Sequence, residues 1–276
     1  MNDTKSNPNP KHILITGAGS GLGKALALSL AGPGTSLCLI DQNKEAVQKV
    51  AETLAKSGCD TWFERCDITS EEDIAQLKST LQSRWGKVDR LINNAGVATG
   101  GALQYEDIEQ WQWVLNINLL GLVRMTKALV PLMSAGASII NIASQAGITP
   151  IPMMASYNAS KAAVVSFSET MHLELAPNGI HVCVACPSFF PTNLDKSLRS
   201  KQPGIEKLVS KMLSRSDIDA HEVARIIIQQ ADAKKFMIVT HKQGKTAYAL
   251  KRFLPQGYYL AMIKRKTRHF GRIKES

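Results

Sequence analysis

His12-Ile13-Leu14-Ile15-Thr16-Gly17-Ala18-Gly19-Ser20-Gly21-Leu22-Gly23 is the stretch on which the fold turns. His12–Thr16 is short, apolar and β-branched, and reads as a buried strand. Glycines follow at once, and Leu22–Ala31 then carries a helical pattern. A strand, a glycine turn and a helix together aim backbone N–H groups and a helix N-terminus at a pyrophosphate. Glycine is required because a side chain would hold the backbone away from the phosphates. The other reading of the same residues is a tight connection with no ligand. The next strand, Ser36–Ile40, ends at Asp41, 18 residues beyond Gly23. A carboxylate there accepts both ribose hydroxyls of an adenosine and repels a 2′-phosphate, which favours NAD over NADP. Neither Ser20 nor Gln42 is basic. The competing role for Asp41 is to cap the following helix.

Further along, apolar runs alternate with amphipathic stretches. Strands are expected at Thr61–Cys66, Arg90–Asn93, Ser138–Ala143, His181–Ala185 and Lys235–Val239. Helices are expected at Asn43–Lys56, Glu71–Trp85, Asp107–Met133, Ala155–Ala176 and Ala220–Ala231. This alternation predicts an α/β, doubly wound Rossmann fold: a mostly parallel seven-stranded sheet with helices on both faces. Residues 1–10 read as a flexible arm, 11–242 as one domain and 243–276 as a basic, aromatic extension. Pro187–Ser216 has no strand periodicity and reads as a lid over a site.

Tyr157 and Lys161 stand four apart at the start of a predicted helix, hence on one face. Alone, such a pair is as easily a solvated i,i+4 contact. Three features strengthen it: Ser144 ends the fifth strand 13 residues earlier, Asn93-Asn94-Ala95-Gly96 ends the fourth, and Asn118 sits in mid-helix, where Asn is unfavourable.

With these residues in order, the chain resembles the short-chain dehydrogenase/reductase family. The resemblance rests on the TGxxxGxG turn, NNAG, the Asn of NxxG, Ser144, YxxxK and a Pro-x-x-x-x-Thr after the sixth strand, and it covers roughly Lys11 to Val239. It implies an NAD(P)-dependent oxidoreductase that interconverts an alcohol and a ketone or aldehyde by hydride transfer. Tyr157 would be the acid/base, its ordinary pKa of about 10 brought down by the Lys161 ammonium and the positive nicotinamide. Lys161 would also bind the nicotinamide ribose, Ser144 would hold the substrate oxygen, and Asn118 would hold a water linking Lys161 to solvent. Gly17, Ser20, Gly21 and Leu22 would meet the pyrophosphate region, and Asp67 and Ile68 the adenine. Asn94, Ala95 and Gly96 would line the ribose and nicotinamide. Pro187 and Thr192 would complete the cofactor site, with Thr192 on the carboxamide. Ser188 stands where the family usually has Gly, which brings a β-carbon next to the nicotinamide. Met153, Met154, Phe189 and Phe190 would lie near the substrate; they are apolar and fit a lipophilic one, or else simply pack the lid. The family is usually dimeric or tetrameric. A cofactor-binding regulator without turnover is the rival reading, and the intact Asn118/Ser144/Tyr157/Lys161 set argues against it.

Charge divides the 276 residues unevenly. Of 33 basic and 23 acidic residues, 12 basic and one acidic fall in 234–276, leaving 21 and 22 in the first 233. The neutral body gives no reason to expect nucleic acid. The tail mixes Lys/Arg with Tyr, Phe and Leu, which suits peripheral contact with an anionic membrane or an acidic carrier protein, or simple packing on the body with the cations solvated, and suits nucleic acid less well. Pro255 and Gly257 divide it into two short pieces. Five cysteines and a polar start without an apolar signal segment predict free thiols in a reducing, cytoplasmic setting. Cys183 and Cys186 should face opposite sides of a strand as structural residues rather than a redox pair. No metal-ligand spacing is present, so no metal is expected.

Overall fold

The computed structural model describes residues 11–56, 58–191, 197–214 and 216–268. Seven parallel strands form one sheet in the order β3-β2-β1-β4-β5-β6-β7. They are β1 (Lys11–Thr16), β2 (Thr35–Asp41), β3 (Asp60–Arg65), β4 (Arg90–Asn93), β5 (Ser138–Ile142), β6 (His181–Ala185) and β7 (Met237–Ile238). One face packs on α1 (Gly21–Leu30), α2 (Lys44–Ala55) and α9 (Ala220–Asp232) through Leu26, Val50 and Ile227. The other packs on α3 (Glu71–Arg84) and α5 (Leu122–Leu129) through Leu77, Met125 and Leu129. Both faces being covered, Leu91 and Ile92 of β4 and Ile139, Ile140 and Ile142 of β5 are all buried, as a parallel sheet between two helix layers requires.

The helix starts are written locally. Asn43 accepts the Ala46 N–H at 2.9 Å, Ser70 the Asp73 N–H at 3.1 Å and Asp219 the Glu222 N–H at 2.8 Å. Each meets donors that the first turn leaves unpaired. The expected helix Asp107–Met133 is interrupted: α4 (Ile108–Leu115) passes into a π turn at Asn116–Gly121, then α5, then a 3₁₀ turn at Val130–Leu132 holding Pro131. Gly121 allows the π turn to press on Ile68, since a β-carbon there would stand 2.6 Å from Ile68 Cδ1. β7 is shorter than the expected Lys235–Val239: only Met237 and Ile238 pair with β6, opposite Val184 and Ala185. Cys183 and Cys186 are free and buried in different clusters, with burial pushing both thiols up to about 12. They are inert structural residues.

The order β1–β4 reverses the winding at the sheet centre, where the strand ends part and open a crevice. A buried polar chain stiffens the strands around it. Asn93 Nδ2 donates to Thr126 Oγ1 (3.0 Å) and Asn141 Oδ1 (2.9 Å), and Asn141 Nδ2 to Ser168 Oγ (2.9 Å). These bonds join β4 and β5 to α5 and to α7 (Ala155–Leu175).

At the far end of β4, buried Arg90 donates to Ser138 Oγ (2.9 Å) and to Asp232 Oδ1 (2.5 Å) on α9. Asp232 is half exposed. Asp232→Ala strands a buried guanidinium and should lower unfolding stability by about 2 kcal/mol, less than a fully buried pair would lose because solvent screens this one. Urea denaturation checks it.

Candidate active site

The glycine turn is built as a cradle. Gly17 and Gly21 adopt φ +64° and +52°, which favour glycine. A β-carbon on Gly23 would stand 2.1 Å from the Gly17 carbonyl oxygen. Asn94 fastens the turn to the end of β4: its Nδ2 donates to the carbonyls of Thr16 (2.9 Å) and Gly17 (3.1 Å). Thr16 Oγ1 in return accepts the N–H groups of Asn94 and Ala95. Asp41 Oδ2 accepts the Gly19 N–H (3.0 Å) and Oδ1 the Asn43 N–H (2.9 Å), so the carboxylate stands against the turn, while Asn43 caps α2. Backbone bared by glycine, a helix N-terminus and a carboxylate at the second strand end fit a dinucleotide.

Above the turn lies a cleft of ≈ 440 Å³, a size suited to small ligands. Gly17, Ser20, Gly21, Leu22, Asp41, Asp67, Ile68, Asn94, Ala95 and Gly96 line one part; Ser144, Tyr157, Lys161, Pro187, Phe189 and Phe190 line the rest. Thr192 lies outside the described residues. Asn118 sits behind the wall. Its Oδ1 accepts the Val97 N–H (2.8 Å), and its Nδ2 donates to the Val97 carbonyl (3.0 Å) and Ser160 Oγ (3.0 Å). The amide thus holds the chain after β4, and both its hydrogens are spent away from Lys161.

Tyr157 and Lys161 share the buried face of α7. Lys161 Nζ donates to the Ile142 carbonyl at 3.0 Å and lies 5.9 Å from the Tyr157 ring centre. A β-carbon on Gly96 would crowd it at 3.3 Å. Burial brings Lys161 down to about 8, opposed by the nearby Cys186. Burial also pushes the Tyr157 phenol above its ordinary value, against a hydrogen bond with Ser144. In the protein alone, then, desolvation outweighs any help that Lys161 gives the phenolate.

The structure separates the expected substrate residues. Phe189 and Phe190 reach the cleft, whereas Met153 and Met154 do not line it. Met154 is buried beside Ala98, Ala146 and Tyr157. Met153, at φ +68°, packs on α8 (Ile205–Leu213), part of the expected lid. Residues not anticipated line the cleft instead, among them Val97, Trp113, Gln145 and Leu213. Arg199 lies 3.8 Å over the Trp113 ring, Lys201 pairs with Asp107, and Gln202 Oε1 accepts the Ala102 N–H (2.8 Å), so residues 199–202 of the expected lid are tied to the opposite rim. Ser188 donates its N–H to His241 Nδ1 (3.3 Å), and its backbone lies outside the left-handed region that would demand glycine. Buried Glu106 was also unforeseen. α7 has no capping side chain of its own, and Glu106 Oε2 accepts the Ser156 N–H (2.9 Å) at its first turn. Its sequence signal is slight, because a Glu ahead of another helix reads as surface.

The short chain dehydrogenase family profile matches residues 11–203. The chain belongs to the short-chain dehydrogenase/reductase family, NAD(P)-dependent oxidoreductases of CH–OH and carbonyl groups. Among curated relatives, a 3-oxoacyl-[acyl-carrier-protein] reductase of Synechocystis sp. is 34% identical over 191 residues, 68% of this chain and 77% of that one. A CLA biosynthesis dehydrogenase/reductase of Lactiplantibacillus plantarum is 33% identical over 189 residues, 67% of this chain and 66% of that one. Among solved structures, a short-chain dehydrogenase/reductase from Burkholderia phymatum in complex with NAD superposes with TM-score 0.83 at 30% identity, covering 89% of this chain and 94% of that one. A variant actinorhodin polyketide ketoreductase with NADPH gives 0.72 at 28% identity, covering 83% and 95%.

A buried lysine whose folded pKa is lowered destabilises the fold below that pKa, and the cost fades as pH rises towards the unfolded value. Lys161→Met should therefore raise stability relative to wild type below about pH 8, by at most roughly 3 kcal/mol, and lose that advantage between pH 8 and 10.5. Urea denaturation of both proteins at pH 7.5 and pH 10 checks the sign.

Proposed function

We propose that the protein interconverts a secondary or primary alcohol and its ketone or aldehyde on a small lipophilic substrate, with NAD as the preferred cofactor. The observation that carries this is the convergence of Ser144, Tyr157 and Lys161 on one cleft whose floor is the glycine cradle. Bound nicotinamide supplies the hydride acceptor or donor. Ser144 Oγ binds the substrate oxygen and stabilises the charge that develops there. Tyr157 takes the hydroxyl proton in oxidation and returns it in reduction. The Lys161 ammonium, fixed by the Ile142 carbonyl, lies close enough to favour the phenolate once positive charge joins it in the cleft. With the Asn118 amide engaged by Val97 and Ser160, a water serving proton exchange falls to its main-chain carbonyl in the π turn.

Asp41 supports NAD: its carboxylate sits against the turn where a 2′-phosphate would come, and Gln42 beside it is neutral. The solved relatives carry NAD in one case and NADPH in another. Val97, Trp113, Phe189 and Leu213 give the rest of the cleft an apolar wall, which favours a lipophilic substrate.

Tyr157→Phe should cut turnover by about 10³-fold while NAD affinity, read by NADH fluorescence, is kept. Turnover within a few-fold of wild type would remove Tyr157 from the acid/base role. Asp41→Ala should weaken NAD and leave NADP little changed or improved; an unaltered ratio of the two affinities would overturn the preference.

A further inference from the structure

The basic tail folds into two helices, α10 (Lys242–Phe253) and α11 (Gln256–Lys266), joined at Pro255. Its inner side is anchored to the body. Gly244 meets Gln145, whose Nε2 donates to the Gly244 carbonyl (3.3 Å); Lys251 Nζ donates to the Ile148 carbonyl (2.6 Å); Tyr248 packs on the cluster holding Val239. Tyr259 is buried.

The elbow between the helices is left uncovered. Phe253 is 81% exposed, Tyr258 75%, Leu260 54% and Leu254 37%. Among the described residues, half of the exposed large hydrophobic side chains therefore crowd into 253–260; the others, Leu103, Ile108, Leu120 and Leu173, lie on the body. Cations bracket the elbow: Arg252 before it, and Lys264, Arg265, Lys266 and Arg268 after it, while Lys251 is spent on the Ile148 carbonyl. No acidic residue occurs between 233 and 274. Packing on the body thus accounts for Tyr248 but not for this surface.

We propose that the α10–α11 elbow seats the protein on an anionic lipid bilayer. Phe253, Leu254, Tyr258 and Leu260 enter the boundary between headgroups and acyl chains, and the flanking Lys and Arg lie on the lipid phosphates. Charge complementarity selects this occupant. A second copy meeting this face symmetrically would bring cation against cation. A nucleic acid would use the cations but give Leu254 and Leu260 nothing apolar to enter. The seating does not depend on the catalytic reading.

The test is flotation of the full chain with phosphatidylcholine vesicles and with vesicles about one-third phosphatidylserine. The expected result is binding to the second set only, reduced about tenfold or more by roughly 0.5 M salt. Phe253→Ser/Tyr258→Ser/Leu260→Ser and, separately, Lys264→Glu/Arg265→Glu/Lys266→Glu should each reduce it similarly. Both variants alter exposed side chains, and unchanged thermal melting shows that they fold. Absence of wild-type binding overturns the proposal. So does full binding by the serine variant, which would reduce the contact to adsorption by charge. Equal binding to neutral vesicles overturns the selection of anionic lipid.

Discussion

An ammonium and a phenol share one buried face of a helix, and the site is arranged around that constraint. Neither group is comfortable there: burial lowers the lysine and raises the tyrosine. Two groups that resist ionisation in the free protein are held one turn apart, and their positions are enforced from several sides. The Ile142 carbonyl accepts a hydrogen bond from the Lys161 ammonium, Glu106 caps the first turn of α7, and Gly96 after β4 and Gly147 in the short helix α6 (Gln145–Ile148) lack the β-carbons that would crowd Lys161. Such costs are common where a fold stores reactivity, and the apolar sheet on either side supplies the stability that offsets them.

The elements around the pair are coupled through few contacts. The Asn93–Asn141–Ser168 chain fixes β4 and β5 against α7, and so fixes Ser144 relative to Tyr157. Asn94 ties the glycine turn to the same strand end. α10 reaches the site through Gln145, the residue after Ser144. The tail therefore stands beside the cleft.

What could be read from the sequence follows from what is local. The glycine turn needs its conformations and close approaches within a few residues, and YxxxK is one helical turn; both carry their chemistry in their spacing. The same holds for the strand order of motifs, the division of the tail at Pro255 and the structural roles of Cys183 and Cys186. Trp113 could not be found this way, because it joins the cleft by tertiary approach alone. Trp113 reads as one more apolar helix residue until Arg199 and the cleft are placed beside it. Met153 and Met154 stood close in sequence to Tyr157, but a left-handed residue turns the first towards α8 and leaves the second beneath the tyrosine. The π turn at Asn118 had no signal beyond an ill-placed Asn, which proves to clamp Val97.

The central claim is that burial holds the Tyr157 phenol protonated in the free protein, and that cofactor charge beside Lys161 releases it. The direct measurement is the ultraviolet phenolate titration of wild type minus Tyr157→Phe, with and without NAD⁺. The account predicts a midpoint above the ordinary phenol value of about 10 in the free protein and a fall below it with NAD⁺ bound. A midpoint already below that value without cofactor, or one that NAD⁺ leaves unmoved, would contradict it.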